Sequence, residues 1–131
     1  MYDDSEIRKV IQKYFDAGYD SSPEIADTMH DRVLLYSFEN NRPEGELRIW
    51  DKETFVKIAT SVGLGFPRFE EITSIDFTGP NSAAARVKVR VQDTLFTDIL
   101  NFMCLDGKWQ IVAKVFYGQT WDEYAAKNPG A

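Results

Sequence analysis

Between Phe69 and Tyr117 side-chain character changes with a period of two, which restricts the second half of the chain to antiparallel sheet. Ile72, Ser74 and Asp76 alternate with Thr73, Ile75 and Phe77 up to a turn at Gly79-Pro80-Asn81. Ala85, Val87, Val89 and Val91 alternate with Arg86, Lys88 and Arg90, giving one dry face and one wet one. Leu95 to Leu105 and Trp109 to Tyr117 are long apolar strands joined at Asp106-Gly107, a strong hairpin signal. The first of these is apolar on both sides. One face carries Phe96, Asp98, Leu100, Phe102 and Cys104, and the other Leu95, Thr97, Ile99, Asn101, Met103 and Leu105. Helices can cover one such face only, so the other predicts a homodimer through the sheet; a C-terminal helix folded across it is the monomeric alternative.

The first half reads as helices and a strand. Ile7, Val10, Ile11, Tyr14 and Phe15 fall on one helical face, with Asp3 or Asp4 as cap and Gly18 where a terminating glycine belongs. Ser22-Pro23-Glu24 opens a short second helix with Ile25, Ala26 and Met29 as its apolar side. Val33 to Phe38 suits a strand, and the polar stretch from Glu39 to Gly45 a loop. Leu47 to Trp50 is a brief extended piece. Asp51 caps a third helix with Phe55, Ile58, Ala59 and Val62 on one face, ended by Gly63 and Gly65; Trp50 and Phe55 have the spacing of a hydrophobic staple. Thr120 to Glu123 is a capping box for a terminal helix through Lys127. Helices followed by a meander of strands make an α+β chain rather than a parallel βαβ one.

Composition narrows the function classes. A length of 131 residues fits a single domain spanning 1–131. Nine Phe, six Tyr and three Trp can fill a sizeable core. Fifteen basic against 21 acidic side chains give a net charge of -6, which argues against nucleic-acid binding. A lone Cys104 excludes an intrachain disulfide and a multi-Cys zinc site. No apolar run approaches the ~20 residues of a membrane span. The opening Met1-Tyr2-Asp3-Asp4 lacks a basic and an apolar region, so a cytoplasmic location is expected.

Certain stretches carry a resemblance: residues 11–18 (IQKYFDAG), Met29-His30-Asp31, Phe96-Thr97-Asp98-Ile99-Leu100, and residues 106–116 (DGKWQIVAKVF). With the element order, they resemble the nuclear transport factor 2-like (NTF2-like) superfamily, most of all its SnoaL-like and so-called lumazine-binding branch. The resemblance implies a cone, in which a curved antiparallel sheet with a mixed edge wraps the N-terminal helices and leaves a pocket at the wide end. It also implies homodimers packed sheet on sheet. The superfamily includes isomerases, dehydratases, cyclases, adaptors and non-catalytic binders, so the fold alone assigns no reaction.

Asp98 is the acid that matters most, because a carboxylate on an apolar strand face must be paired, protonated or functional. Lys114 on the next strand is its partner in prospect. A two-residue hairpin loop sets Asp98 opposite Val115, and a three-residue loop with a bulge sets it opposite Lys114. The pair reads either as a strand-stapling salt bridge or as part of a site. Resemblance to ketosteroid isomerases makes Tyr14 a hydrogen-bond donor to a developing oxyanion; core packing is the alternative. Their general base corresponds to the neighbourhood of Ser37 and Phe38, which abstract no proton at neutral pH, so that isomerisation is disfavoured. His30, the only histidine, is a candidate general base or a helix-end cap. Tyr36, Trp50, Phe55, Phe66, Phe69 and Tyr117 are candidates for lining the pocket. These features predict a homodimeric pocket protein for an apolar or aromatic small molecule, without cofactor or metal. A cofactor-independent lyase, isomerase or cyclase using Asp98 and Tyr14 is the alternative, and an interaction adaptor a third.

Overall fold

The computed structural model describes residues 2–38 and 45–131; of the loop expected from Glu39 to Gly45, residues 39–44 lie outside the described residues. In chain order come helix α1 (Ser5–Tyr19), a 3-10 helix (Pro23–Thr28), strands β1 (Met29–Phe38) and β2 (Leu47–Asp51), and helix α2 (Lys52–Ala59). Strands β3 (Glu70–Gly79), β4 (Ser82–Val91), β5 (Thr94–Leu105) and β6 (Lys108–Thr120) follow, with helix α3 (Trp121–Lys127) last. The strands form one curved, unclosed six-stranded sheet in the order β2-β1-β6-β5-β4-β3. Every pairing is antiparallel except β1 with β6, which is parallel. The α+β expectation and its mixed sheet are met.

Local chemistry accounts for most boundaries. Asp51 accepts from the Thr54 amide and caps α2, Thr120 accepts from the Glu123 amide and caps α3, and Ser22 does the same for Glu24 at the 3-10 helix. At α1 it is Asp3, not Asp4, whose carboxylate takes the Ser5 amide. Gly18 does not end α1. The helix runs past it, and Ser21 (φ 50°) takes the left-handed position, with its amide on the Gly18 carbonyl and the Ser22 amide on Ala17. That is a Schellman end built without glycine, secured by the Ser21 hydroxyl on the Val62 carbonyl. Helix α2 likewise stops at Ala59, before Gly63, and the Thr60 amide and hydroxyl both close on the Val56 carbonyl.

The inner face of the sheet holds α1, and the core gathers Ile7, Ile11 and Phe15 of α1 with Leu35, Val87, Leu100, Phe102 and Ile111 of the strands. On the outer face α3 covers one end of β5: Leu95 is fully buried, and Phe69, Trp121 and Tyr124 pack ring against ring. Arg90 lies 4.3 Å over the Trp121 ring and Lys88 5.3 Å over Tyr124, so two residues of the wet face of β4 serve to hold the helix. Beyond α3 no element among the described residues covers the outer face. Phe38, Leu47, Val115 and Tyr117 are each at least half exposed.

Register fixes the site. Asp106 (φ 53°) and Gly107 (φ 77°) make a two-residue turn, and the ladder runs regularly to Phe102 opposite Ile111. Asn101 then pairs with Ala113, so Val112 is an extra residue, a bulge within β6. Asp98 therefore stands opposite Phe116, and neither register expected from the turn is correct. Lys114 faces Leu100, one diagonal step away on the same inner face.

Candidate functional site

Three polar side chains meet inside the sheet. Asp98 on β5 is completely buried, Lys114 on β6 is 5% exposed and Tyr14 on α1 is 4% exposed. The Tyr14 hydroxyl donates to Asp98 Oδ2 at 2.7 Å and accepts from Lys114 Nζ at 2.7 Å. Lys114 Nζ stands 3.6 Å from Asp98 Oδ2, an ion pair bridged by the phenol. The second carboxylate oxygen, Asp98 Oδ1, is buried and has no hydrogen-bond partner among the described residues. The ammonium is flanked by two further rings: the centroids of Phe55 and Phe116 lie 4.5 and 4.7 Å from Nζ.

Burial governs the protonation of this cluster. Loss of solvent, followed by the charge and hydrogen bond of Asp98, raises the Tyr14 phenol well above its ordinary value. For Lys114 the loss of solvent is again the largest effect and pulls the ammonium below its ordinary value, while Asp98 pulls the other way.

The cluster borders a cavity of about 270 Å³ between α1, the 3-10 helix, α2 and the inner sheet face. Tyr14, Trp50, Phe55, Asp98 and Lys114 line it, and so bring five of the sequence candidates together. Tyr19, Phe96 and Phe116 complete its aromatic wall, and the exposed Gln92 stands at its rim. Phe96 shares a strand face with Asp98, so two-residue parity alone pointed to it. Phe116 needed the register. Tyr19 lies one residue beyond the expected end of α1.

The other candidates are elsewhere. Tyr36 and Tyr117 flank a shallow apolar depression on the outer face, because odd and even positions of β1 and β6 point to opposite sides. Phe69 belongs to the α3 cluster, and Phe66 stacks edge-on against Tyr19 outside the cavity wall. His30 is the second residue of β1 rather than a helix end, and its Nδ1 accepts the Arg32 amide at 3.0 Å. It does not line the cavity, and its ring bonds within β1, two residues past the end of the 3-10 helix. Among the described residues no three His, Cys, Asp or Glu side chains converge.

Helices seated in an open curved sheet, with a buried polar cluster on the wall of an aromatic cavity, define an α+β cone of the NTF2-like, SnoaL-like type. Within that class, residues 2–117 match the family model described as "Putative lumazine-binding", and the chain belongs to that family. No curated protein sequence matches it. Among solved structures, an NTF2-like protein of unknown function from Shewanella baltica OS155 aligns with a TM-score of 0.78 at 20% identity, over 87% of this chain and 91% of its own. One from Methylobacillus flagellatus KT aligns at 0.73 and 25% identity, over 88% and 90%. A ketosteroid isomerase-like protein from Erwinia carotovora atroseptica SCRI1043 aligns at 0.68 and 17%, over 88% and 95%, a likeness of fold. Among the described residues no helix is long and apolar enough to cross a membrane.

Proposed function

We propose that the chain is a single-domain pocket protein that binds an apolar or aromatic small molecule in the cavity beside Tyr14, Asp98 and Lys114. The observation that carries this is Asp98 itself, whose Oδ1 is buried without a hydrogen-bond partner among the described residues and which lines a cavity walled mostly by aromatic and aliphatic side chains. A buried ion pair is a poor way to gain stability, since apolar replacements of equal volume do as well or better. An unpaired carboxylate oxygen adds to that cost. A ligand N–H or O–H offsets it by donating to Oδ1, while the rings pack on the ligand's flat faces. About 150 Å³ admits a benzene ring, so 270 Å³ suits a molecule of bicyclic size. The family description, with its bicyclic lumazine, agrees with that size. Thermal-shift and mass-spectrometric screening of a metabolite panel tests the proposal: an aromatic binder whose affinity falls in Asp98→Asn is the expected result, and no binder at all rejects it.

The same orphan oxygen favours a second reading, a cofactor-independent lyase, isomerase or cyclase with Asp98 as acid or base. Tyr14 is then a relay and not the carbonyl-orienting donor, because its proton is committed to Asp98. The unused N–H groups of Lys114 take that orienting role. Full turnover by Asp98→Asn on an identified substrate would remove Asp98 from the mechanism. We infer too that the protein acts as a homodimer through the outer face, on the support of the exposed apolar residues there.

A further inference from the structure

The hydrogen bonds in the buried cluster run head to tail: Lys114 Nζ donates to Tyr14 Oη, and Tyr14 Oη donates to Asp98 Oδ2, each at 2.7 Å. Such a chain passes a proton without moving a heavy atom. One proton leaves the ammonium for the phenol as the phenol's own proton passes to the carboxylate, and a neutral amine and a neutral acid remain. In a site shielded from water burial disfavours the ammonium, which eases release of its proton along this chain. The amine so formed lies on the wall of the aromatic cavity. Lysines used for covalent chemistry are placed in this way, desolvated and beside a proton acceptor.

We propose that Lys114 forms an imine with an aromatic or apolar aldehyde or ketone bound in the cavity, with Asp98 as the proton carrier. The inference rests on the pocket reading above and adds a covalent step to it. The balance is complete within the cluster. The Nζ lone pair attacks the carbonyl carbon, the C–N bond forms, and the carbonyl oxygen becomes a hydroxyl using a proton released by nitrogen. Asp98 then donates the proton it received through Tyr14, the C–O bond breaks, and water leaves. Of the three ammonium hydrogens one stays on the iminium nitrogen and two depart in the water. The carboxylate is regenerated, so the buried cluster begins and ends with one positive and one negative charge. The iminium occupies the position of the ammonium, beside the rings of Phe55 and Phe116, which stabilise either cation. The condensation changes no oxidation state, so no redox partner or cofactor enters the balance.

Two probes of equal shape test this: 2-naphthaldehyde, and 2-naphthylmethanol, which has no carbonyl. The folded protein is incubated with the aldehyde and sodium cyanoborohydride, which reduces an imine to a stable amine, and labelled lysines are located by peptide mass spectrometry. Lys114 is expected to label first, although it is the most buried lysine, at a rate that saturates with aldehyde and falls when 2-naphthylmethanol competes. Asp98→Asn is expected to slow that labelling by about a hundredfold, as loss of a positioned acid–base group does. If 2-naphthylmethanol raises the melting temperature yet only surface lysines are trapped, the imine proposal is overturned and the pocket reading stands. If neither probe binds and Lys114 stays unlabelled, both fall.

Discussion

Tyr14 and Lys114 respond to alkali in opposite directions, and this makes their roles separable. An unfolded tyrosine loses its proton near 10.0, whereas burial keeps the Tyr14 phenol protonated well above that value. Between those two points the native state holds a proton that the unfolded state has released, so stability falls as pH rises past 10. Lys114 titrates below its usual 10.5 in the native state, so its contribution climbs as pH approaches 10.5 and then levels. Urea unfolding of wild type and Tyr14→Phe isolates the phenol: the wild type's advantage is expected to shrink above pH 10 by up to about 1.4 kcal/mol per pH unit. A constant difference from pH 8 to 11 would mean that the hydroxyl is not shielded as the structure has it. A second residue-level test asks why the cluster exists. Lys114→Met strands Asp98 without its cation and is expected to cost about 3–5 kcal/mol. The triple replacement Tyr14→Phe, Asp98→Leu and Lys114→Met is expected to recover most of that loss, since only apolar groups then remain buried. A triple variant as unstable as the single one would make the cluster a structural staple. Asp98 was legible in the sequence because a carboxylate amid Phe96 and Leu100 breaks an apolar face. The bridging by Tyr14 was not, because it joins positions 84 residues apart.

At the level of elements, caps and turns were written locally and could be read locally. Asp51, Ser22 and Thr120 cap as their types and spacing imply, and Asp106-Gly107 makes the turn that its dipeptide encodes. Two kinds of feature were not legible. Helix ends at α1 and α2 were assigned to glycines, yet the left-handed position fell to Ser21 and the stop to Thr60, each held by hydrogen bonds to the surrounding chain. The bulge at Val112 has no sequence signature, and it moves every pairing beyond it by one residue. The glycines give a paired test with opposite signs. Gly107→Ala forces a Cβ into a left-handed backbone (φ 77°) and is expected to cost about 1–2 kcal/mol. Gly18→Ala lies within α1 at ordinary helical φ, where the added Cβ meets Ile25 Cδ1 at 3.8 Å, and is expected to stabilise by about 0.5–1 kcal/mol. Denaturant midpoints of the two variants decide it; a destabilised Gly18→Ala would restore the helix-ending role first assigned to that residue. Since Gly18 also borders the cavity, the same methyl group is expected to weaken the largest ligands.

Across the whole molecule, the strand apolar on both faces turned out to have two covers and one gap. The inner face packs on the helices, α3 closes the Leu95 end of the outer face, and among the described residues nothing covers the stretch around Phe38, Leu47, Val115 and Tyr117. Either alternative alone, a dimer or a folded-back helix, accounts for only part of that surface. Exposed apolar side chains on adjoining strands form a patch of the kind that monomers rarely leave in water. The proposed homodimer buries it and leaves the cavity, on the opposite face, free to take its ligand. Sedimentation at micromolar concentration is therefore expected to give twice the 15.0 kDa chain mass. Val115→Lys introduces a charge where the side chain is 50% exposed in the single chain, so the fold tolerates it while a sheet-on-sheet interface does not. The variant is expected to sediment as one chain, with an unchanged circular-dichroism spectrum and unchanged binding of the cavity ligand. A wild type that stays monomeric removes the interface. A Val115→Lys dimer moves it to another surface, with the β2 edge, where Leu47 and Ile49 are exposed, next in line.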